Sequence, residues 1–311
     1  MKVGYVALIG RPNVGKSTLL NKILGKKIAI ISDKPQTTRT SILGIKTTQK
    51  GQIIFVDNPG IHKPLHKLNK RMMNIVYSSL ETSDLICLLI DASLRFGHGD
   101  QFVIDTLKKI STPIILLINK VDIVKKEKIL PLIDNYKDLL DFKEIIPISA
   151  LKGINLDILE EKIYDYLPEA EKIYAEEEIS DQSQKFLLSE IIREKLLKYV
   201  REELPFVTAV YIERMEDRPP PRPQGLKGVE SSSEDSPKER KYIKASIFVE
   251  KDNHRRIIIG HQGKLIKTIG SEARREMESI LGAKLFLDLS VKVKEKWRDS
   301  ANVLDLIEGQ K

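Results

Sequence analysis

Cysteine is almost absent from this chain: among 311 residues there is one, Cys87. One thiol closes no internal disulfide, so the sequence points to a reducing, cytoplasmic setting. Cys87 sits within an apolar run and reads as a small buried hydrophobe. Long hydrophobic runs are missing too. The longest, Leu85–Ile90 and Ile114–Ile118, fall far short of the ~20 residues that cross a bilayer. The opening stretch Met1–Gly10 has no long apolar segment ending in a small-residue cleavage site, so no secretory leader is expected. His62, His66 and His98 stand at no metal-ligand spacing with the cysteine and read as loop residues.

What is present is an ordinary globular balance, 41% apolar and 31% charged residues, in a chain long enough for two domains. The formal net charge is +8 and the pI about 9.2. Between Lys238 and Arg298 there are 16 Lys and Arg against 8 Asp and Glu. The whole positive excess can therefore be placed in the last quarter of the chain, which favours an anionic polymer as partner there.

The first half alternates apolar strands with helical patterns, the signature of a parallel sheet with crossover helices. Strands are expected at Val3–Ile9, Ser41–Thr47, Ile53–Val56, Leu85–Ile90, Ile114–Ile118 and Ile145–Ile148. Helices are expected at Lys16–Leu24, Leu68–Leu80, Asp100–Lys109, Lys128–Leu140 and Leu156–Tyr166. An acidic stretch with Glu176, Glu177, Glu178 and Asp181 follows and reads as a linker. The second half reads helix Lys185–Glu202, strands Phe206–Arg214 and Tyr242–Val249, helices Asn253–Ile258 and Lys264–Leu281, and strand Lys284–Lys294. Between its first two strands, Asp217–Pro237 is rich in Pro, Gly, Ser and Glu, a composition that cannot bury a core, and reads as an insertion.

Gly10-Arg11-Pro12-Asn13-Val14-Gly15-Lys16-Ser17, continued by Thr18, matches G-x-x-x-x-G-K-[ST] between a predicted strand and a predicted helix. The glycines let successive N–H groups face phosphate oxygens, reinforced by the helix N-terminus. Lys16 supplies a charge to the β- and γ-phosphates, and the Ser17 hydroxyl is a ligand for Mg²⁺. The base is read by Asn119-Lys120-Val121-Asp122, after the strand Ile114–Ile118. A carboxylate at Asp122 accepts from guanine N1–H and the 2-amino group, whereas adenine would leave it unpaired, at ~1–3 kcal/mol or more. The Lys120 stem can lie along the base while Asn119 braces the loops. In Ser149-Ala150-Leu151, after the next strand, the Ala150 N–H can reach guanine O6. GTP and GDP are therefore the expected nucleotides.

Asp57-Asn58-Pro59-Gly60 ends the strand Ile53–Val56: Asp57 is placed to hold Mg²⁺ through water, and the Gly60 N–H to sense the γ-phosphate. Gln36-Thr37-Thr38-Arg39 falls where a switch loop belongs, and one threonine, Thr38 before Thr37, would complete the Mg²⁺ shell. Together these motifs resemble the Era and tRNA-modification branch of the translation-factor-related GTPases. In that branch an asparagine at the position of Asn13 is associated with a monovalent cation, K⁺, although Asn13 can equally brace the loop. The residues expected at the reacting phosphate are thus Lys16, Thr38, Gly60 and Asn13. Ile61 stands where Ras-like proteins carry a water-orienting glutamine, so unaided hydrolysis is expected to be slow. Asn58 replaces the family's usual threonine, with a mild effect expected.

Gly260-His261-Gln262-Gly263 places a G-x-x-G loop between two helices, with Arg255, Arg256, Lys264 and Lys267 around it. A tight glycine loop lets a nucleic-acid backbone approach closely. His261 could contact phosphate, stack on a base, or simply face solvent. The helix–strand–strand–helix–helix–strand order resembles a type II KH domain, which clamps about four single-stranded nucleotides. The expected fold is therefore an α/β P-loop GTPase domain, with a mostly parallel six-stranded sheet and helices on both faces, followed by an α+β type II KH domain. The expected boundaries are a GTPase domain over residues 1–168, an acidic linker over 169–184, a KH domain over 185–298 with the insertion 217–237, and a tail over 299–311.

That organisation resembles the Era family. The resemblance implies a monomer that binds the 3′ end of 16S rRNA, acts in 16S rRNA processing and 30S subunit assembly, and touches the inner membrane peripherally. The residues by themselves leave two other readings open, a constitutive RNA-binding scaffold and a membrane-surface GTPase.

Overall fold

Three strands of this chain are buried at every position: β3 (Gly51–Asp57), β4 (Leu85–Asp91) and, paired with β4, β5 (Ile114–Asn119). A strand covered on both faces needs apolar residues throughout, which is why these runs do not alternate. In the computed structural model, which describes residues 1–217 and 240–310, they belong to the first of two compact units, Met1–Gln182 and Ser183–Lys311. The expected insertion lies outside the described residues beyond Asp217.

The first unit is a six-stranded sheet in the order β2-β3-β1-β4-β5-β6, with β1 at Lys2–Gly10, β2 at Ile42–Thr48 and β6 at Phe142–Pro147. All pairs are parallel except β2 with β3. Helices α1 (Lys16–Leu24), α2 (Lys67–Thr82), α3 (His98–Leu107), α4 (Ile129–Tyr136) and α5 (Leu156–Tyr166) connect the strands. Parallel pairing brings the C-terminal ends of β1, β3, β4 and β5 to one edge, where open α/β sheets bind ligands. Gly10, Asp57, Asp91 and Asn119 end those four strands.

α4 stops at Tyr136, four residues short of its expected end. The Tyr136 ring stands edge-on to Phe96 at 5.3 Å, and Leu139, Leu140 and Phe142 turn back into the same core. β6 consequently begins three residues early and is only partly buried.

The acidic stretch expected as a linker lies, as far as Gln182, within the first unit. The Ile45 N–H donates to the Ile179 carbonyl at 2.9 Å, and the buried Gln52 carboxamide accepts from the Ile173 and Tyr174 N–H groups, both at 3.0 Å. The tether joins the edge strand β2 through the Ile45 N–H and the inner strand β3 through the Gln52 carboxamide, contacts that an acidic composition does not announce.

In the second unit α6 (Gln184–Tyr199) precedes a three-stranded sheet, β7 (Ala209–Glu216), β8 (Arg240–Val249) and β9 (Lys284–Val293), with β8 central, antiparallel to β7 and parallel to β9. A one-turn helix, α7 (Leu204–Val207), precedes β7; α8 (Asp252–Ile259) and α9 (Lys264–Leu281) lie between β8 and β9. The expected tail contains a further helix, α10 (Ala301–Glu308). Beyond it the Gln310 carboxamide oxygen accepts the Ile212 N–H at 2.9 Å, where β7 shifts register. Trp297 is buried and donates its indole N–H to the Val207 carbonyl at 2.8 Å. Among the described residues no helix is long and apolar enough to cross a membrane.

Candidate functional site

The loop between β1 and α1 is built on backbone that only glycine tolerates at two points. Gly10 (φ +150°) would place a Cβ 2.4 Å from the Leu89 carbonyl oxygen, and Gly15 (φ +103°) would place one 2.3 Å from Asn119 Nδ2. The Lys16 side chain is buried, and its ammonium donates to the Gly10 and Arg11 carbonyls at 3.3 and 3.0 Å. Burial holds its pKa down at about 8, although the Asp57 carboxylate pulls the other way. A cavity of about 410 Å³ opens over the loop, lined by Gly15, Lys16, Ser17, Thr18 and, opposite them, Thr38 and Gly60.

Three oxygens converge beside Lys16. Ser17 Oγ donates to Asp57 Oδ2 at 2.6 Å and lies 3.0 Å from Thr38 Oγ1. Asp57 is fully buried, and its other oxygen, Oδ1, has no hydrogen-bond partner among the described residues. Burial pushes its carboxyl up to about 6, against the pull of Lys16 and the Ser17 and Thr38 hydroxyls. One carboxylate and two hydroxyls suit Mg²⁺, which takes few protein ligands and completes its shell with water and phosphate. Thr37 also lines the cavity, but its hydroxyl donates to the Lys34 carbonyl at 2.6 Å.

Gly60 lies directly against this loop: a Cβ there would sit 2.5 Å from Pro12 N. The next residue, Ile61, is buried in the core of the sheet and cannot orient a water. Asn13 has a left-handed backbone (φ 65°), and its amide donates to the Asp33 carbonyl at 2.6 Å, a brace between the phosphate loop and the segment before Thr38.

Two expected ligand residues point their side chains elsewhere. The Arg11 guanidinium pairs with Asp100 Oδ2 at 2.7 Å, in the first turn of α3, leaving its carbonyl to Lys16. Asn58 is buried and donates to the Val56 carbonyl and to Ser79 Oγ on α2, at 3.0 and 2.9 Å, so it anchors the loop rather than facing the cavity. Pro59, which follows Asn58, is also buried.

Around the base position, Asn119 Nδ2 donates to the Val14 carbonyl at 2.8 Å. The Ala150 N–H donates to Asn119 Oδ1 at 2.9 Å. That N–H, expected at guanine O6, is thus engaged by the buried amide nearest to it. Ser149 Oγ donates to Asp122 Oδ1 at 2.6 Å, which fixes the carboxylate's orientation. Val121 donates its N–H to the Ile148 carbonyl at 3.2 Å, and Leu151 is exposed.

Lys120 adopts φ 67° and reaches two acceptors with its ammonium, the Asn13 carbonyl at 2.9 Å and Asp91 Oδ2 at 2.6 Å. Asp91 also accepts from the Ser93 N–H and hydroxyl, at 2.9 and 2.6 Å. Its burial favours the neutral acid, but the bonds from Lys120 and Ser93 outweigh that and hold its pKa below the ordinary value. Sequence reasoning missed Asp91. The available signal was an aspartate closing an apolar strand, as at Asp57, with a serine two residues on.

In the second unit the G-x-x-G loop makes a turn with three residues at positive φ, Gly260 (φ 72°), Gln262 (φ 51°) and Gly263 (φ 74°), the last two in the left-handed helical conformation. A Cβ at Gly260 would meet Leu265 Cβ at 2.8 Å, whereas Gly263 faces open space. His261, Gln262, Lys264 and Lys267 are exposed, as are Arg255 and Arg256. Both arginines pair with Asp252, at 2.7 and 2.9 Å, which tempers their charge.

A phosphate loop on a mostly parallel sheet, joined in one chain to a G-x-x-G module, defines a P-loop GTPase of the kind that carries a KH domain. The profile described as 50S ribosome-binding GTPase matches residues 5–120, and the KH domain profile matches residues 227–298. The chain is similar to Era solved in complex with MgGDPNP and nucleotides 1506–1542 of 16S ribosomal RNA. The identity is 42%, over 99% of this chain and 98% of that one, with a TM-score of 0.89. It is equally similar, at 42% identity over 99% of both chains and a TM-score of 0.89, to a single-substitution variant of Aquifex aeolicus Era bound to GDP·AlF4⁻. The chain belongs to the Era family of GTPases.

Proposed function

We propose that this protein is a GTP-hydrolysing switch that binds the single-stranded 3′ end of 16S rRNA through its KH domain. Its task is 16S rRNA maturation and assembly of the 30S subunit in the cytoplasm. The observation that carries this reading is the likeness, over nearly the whole chain, to an Era bound at once to a GTP analogue and to that RNA end. GDPNP stands there for GTP, and in the Aquifex aeolicus complex AlF4⁻ stands for the phosphoryl group in transfer. The domain division proposed is a GTPase domain whose last sheet-flanking helix ends near residue 168 and which keeps the acidic stretch against its sheet as far as Gln182, followed by a KH domain over 185–298.

Lys16 would hold the β- and γ-phosphates, and Asp122 the guanine edge. Mg²⁺, held by Ser17, Thr38 and, through water, Asp57, would supply positive charge to the β- and γ-oxygens. Thr38 and Gly60 face the same cavity from two loops, so a γ-phosphate between them would order both. With Ile61 in the core, turnover by the chain alone is slow.

Nucleotide affinity should depend on pH in a defined direction. Phosphate binds the charged form of Lys16, whose pKa in the empty site is about 8. Above that value each binding event must take up a proton, so affinity falls as pH rises. Between pH 7 and 8.5 GDP binding should weaken about fourfold, the loss that a group titrating at that pKa imposes. Calorimetric titration at both pH values, in two buffers of different ionisation enthalpy, would detect the proton uptake. A flat affinity without uptake contradicts the assignment.

RNA binding tests the whole reading. Fluorescence anisotropy of an RNA copying the 3′ end of 16S rRNA should show about tenfold tighter binding with a non-hydrolysable GTP analogue than with GDP, at matched salt. Gly263→Asp introduces a negative charge where the Cβ has room and should weaken binding at least about tenfold. Equal affinity with both nucleotides, or full binding by the variant, would sink the switch-and-clamp reading.

A further inference from the structure

The two loops that face a γ-phosphate are joined by a chain of hydrogen bonds that the nucleotide motifs do not include. The peptide between Gly60 and Ile61 is held from both sides. Its N–H, on Ile61, donates to the Gly10 carbonyl at 3.1 Å, and its carbonyl, on Gly60, lies 2.7 Å from His62 Nδ1. The other ring nitrogen, His62 Nε2, lies 3.0 Å from Asn69 Nδ2. A carbonyl only accepts and a carboxamide nitrogen only donates. The two contacts fit the tautomer with its hydrogen on His62 Nδ1 and its lone pair on Nε2.

Asn69 sits in the first turn of α2 and is buried, 4% exposed. Its amide nitrogen also donates to Gln36 Oε1 at 3.2 Å, and its oxygen accepts the His66 N–H at 3.2 Å. Both amide hydrogens and the carbonyl oxygen of one buried side chain are thus engaged. Gln36 has a left-handed backbone (φ 59°) and stands two residues before Thr38. Helix capping alone requires only the oxygen. A hydrophobic residue would fill the space without leaving donors to be satisfied, so the two donor bonds call for another reason.

We propose that Asn69 is a positioning residue that ties the loop after Gly60 to the loop before Thr38, through His62 on one side and Gln36 on the other. The two loops then reach their hydrolysis-competent arrangement as one unit. With no water-orienting side chain at Ile61, fixed loop geometry contributes to placing the attacking water. Asn69 and His62 touch neither nucleotide nor water in this account and act through Gly60 and Thr38. The inference rests on the GTP-hydrolysis reading above.

The test uses the full chain with Gln36→Ala, Asn69→Ala and the double variant. Each single change should lower kcat about fivefold while the KM for GTP and the Kd for GDP stay within twofold. The double variant should be no slower than the slower single, because one connection is cut twice. Gln36 is partly exposed, so its variant keeps the fold. If Asn69→Ala melts early, His62→Ala paired with Gln36→Ala completes the same cycle.

Losses that multiply in the double variant, or a Gln36→Ala kcat within twofold of the parent, overturn the proposal. Turnover absent from the parent chain counts against the function instead. The connection is then judged by the affinity ratio of a GTP analogue to GDP. That ratio should drop about fivefold in Gln36→Ala, and an unchanged ratio overturns the proposal.

Discussion

Lys16→Ala should cut single-turnover GTP hydrolysis by about a hundredfold or more and leave the chain folded. Removing one preorganised group from developing charge typically costs ~10²–10³ in rate. Lys16 is well placed for that role because it is already desolvated and its two partners are loop carbonyls, so phosphate oxygens meet an ammonium that needs little reorganisation. Its lowered pKa also states that the empty site holds this charge at a cost. A group whose folded pKa is depressed below the unfolded value of a lysine destabilises the protein while it is charged. The alanine variant sheds that burden and should melt no earlier than its parent in the absence of nucleotide. Asp57 is affected in the opposite sense: without Lys16 nearby its raised pKa rises further. Phosphate release after rapid mixing and a thermal melt, run side by side, check both parts. A rate within tenfold of the parent would remove Lys16 from the site.

Asp122→Asn should weaken GTP binding by about two to three orders of magnitude and create affinity for xanthosine triphosphate. The carboxylate is oriented by the Ser149 hydroxyl at 2.6 Å, in the short helical turn Val121–Ile123 that follows β5. It can accept from both donors of the guanine edge. An asparagine keeps one acceptor for N1–H but sets an N–H₂ group against the 2-amino group, leaving donors unpaired on both sides. Xanthine carries a carbonyl at that carbon, which the new N–H₂ group matches. Because Ser149 needs only an acceptor, the exchange preserves the supporting bond. Competition of each triphosphate against a fluorescent GDP measures both halves. Loss of GTP without gain of the xanthine nucleotide would mean that Asp122 supports the loop and does not read the base.

Much of this architecture is legible in the chain. The glycines and lysine of residues 10–17 are covalent neighbours, and the apolar runs Leu85–Ile90 and Ile114–Ile118 must be buried wherever they go. α1, α5 and α9 occupy the residues that their periodicity marks, because a helix closes its own hydrogen bonds and its ends depend on nearby residues such as Gly25 and Gly282. The G-x-x-G turn is similarly local, with its closing bond from the Gly263 N–H to the Gly260 carbonyl at 3.1 Å.

What was not legible depends on partners far along the chain. Arg11 belongs to the phosphate-loop motif, yet its guanidinium is taken by Asp100, 89 residues away. Asp91 comes beside Lys120 only because β4 and β5 pair in the register that sets Asp91 against Asn119. The Ala150 N–H meets the Asn119 carboxamide oxygen, 31 residues earlier, and the acidic stretch meets β2 and β3 through the Ile179 carbonyl, the Asp181 carboxylate and the Gln52 carboxamide. The fold class, the phosphate loop and the G-x-x-G turn could be read from residue order, since the turns are built from neighbouring residues and the strands and helices from local periodicity. The tertiary structure alone decided which side chains of those motifs face the cavity and that Asn69 joins the loops on either side of it. Strand register and side-chain direction are properties of the packed chain, and residue order carries no direct record of them.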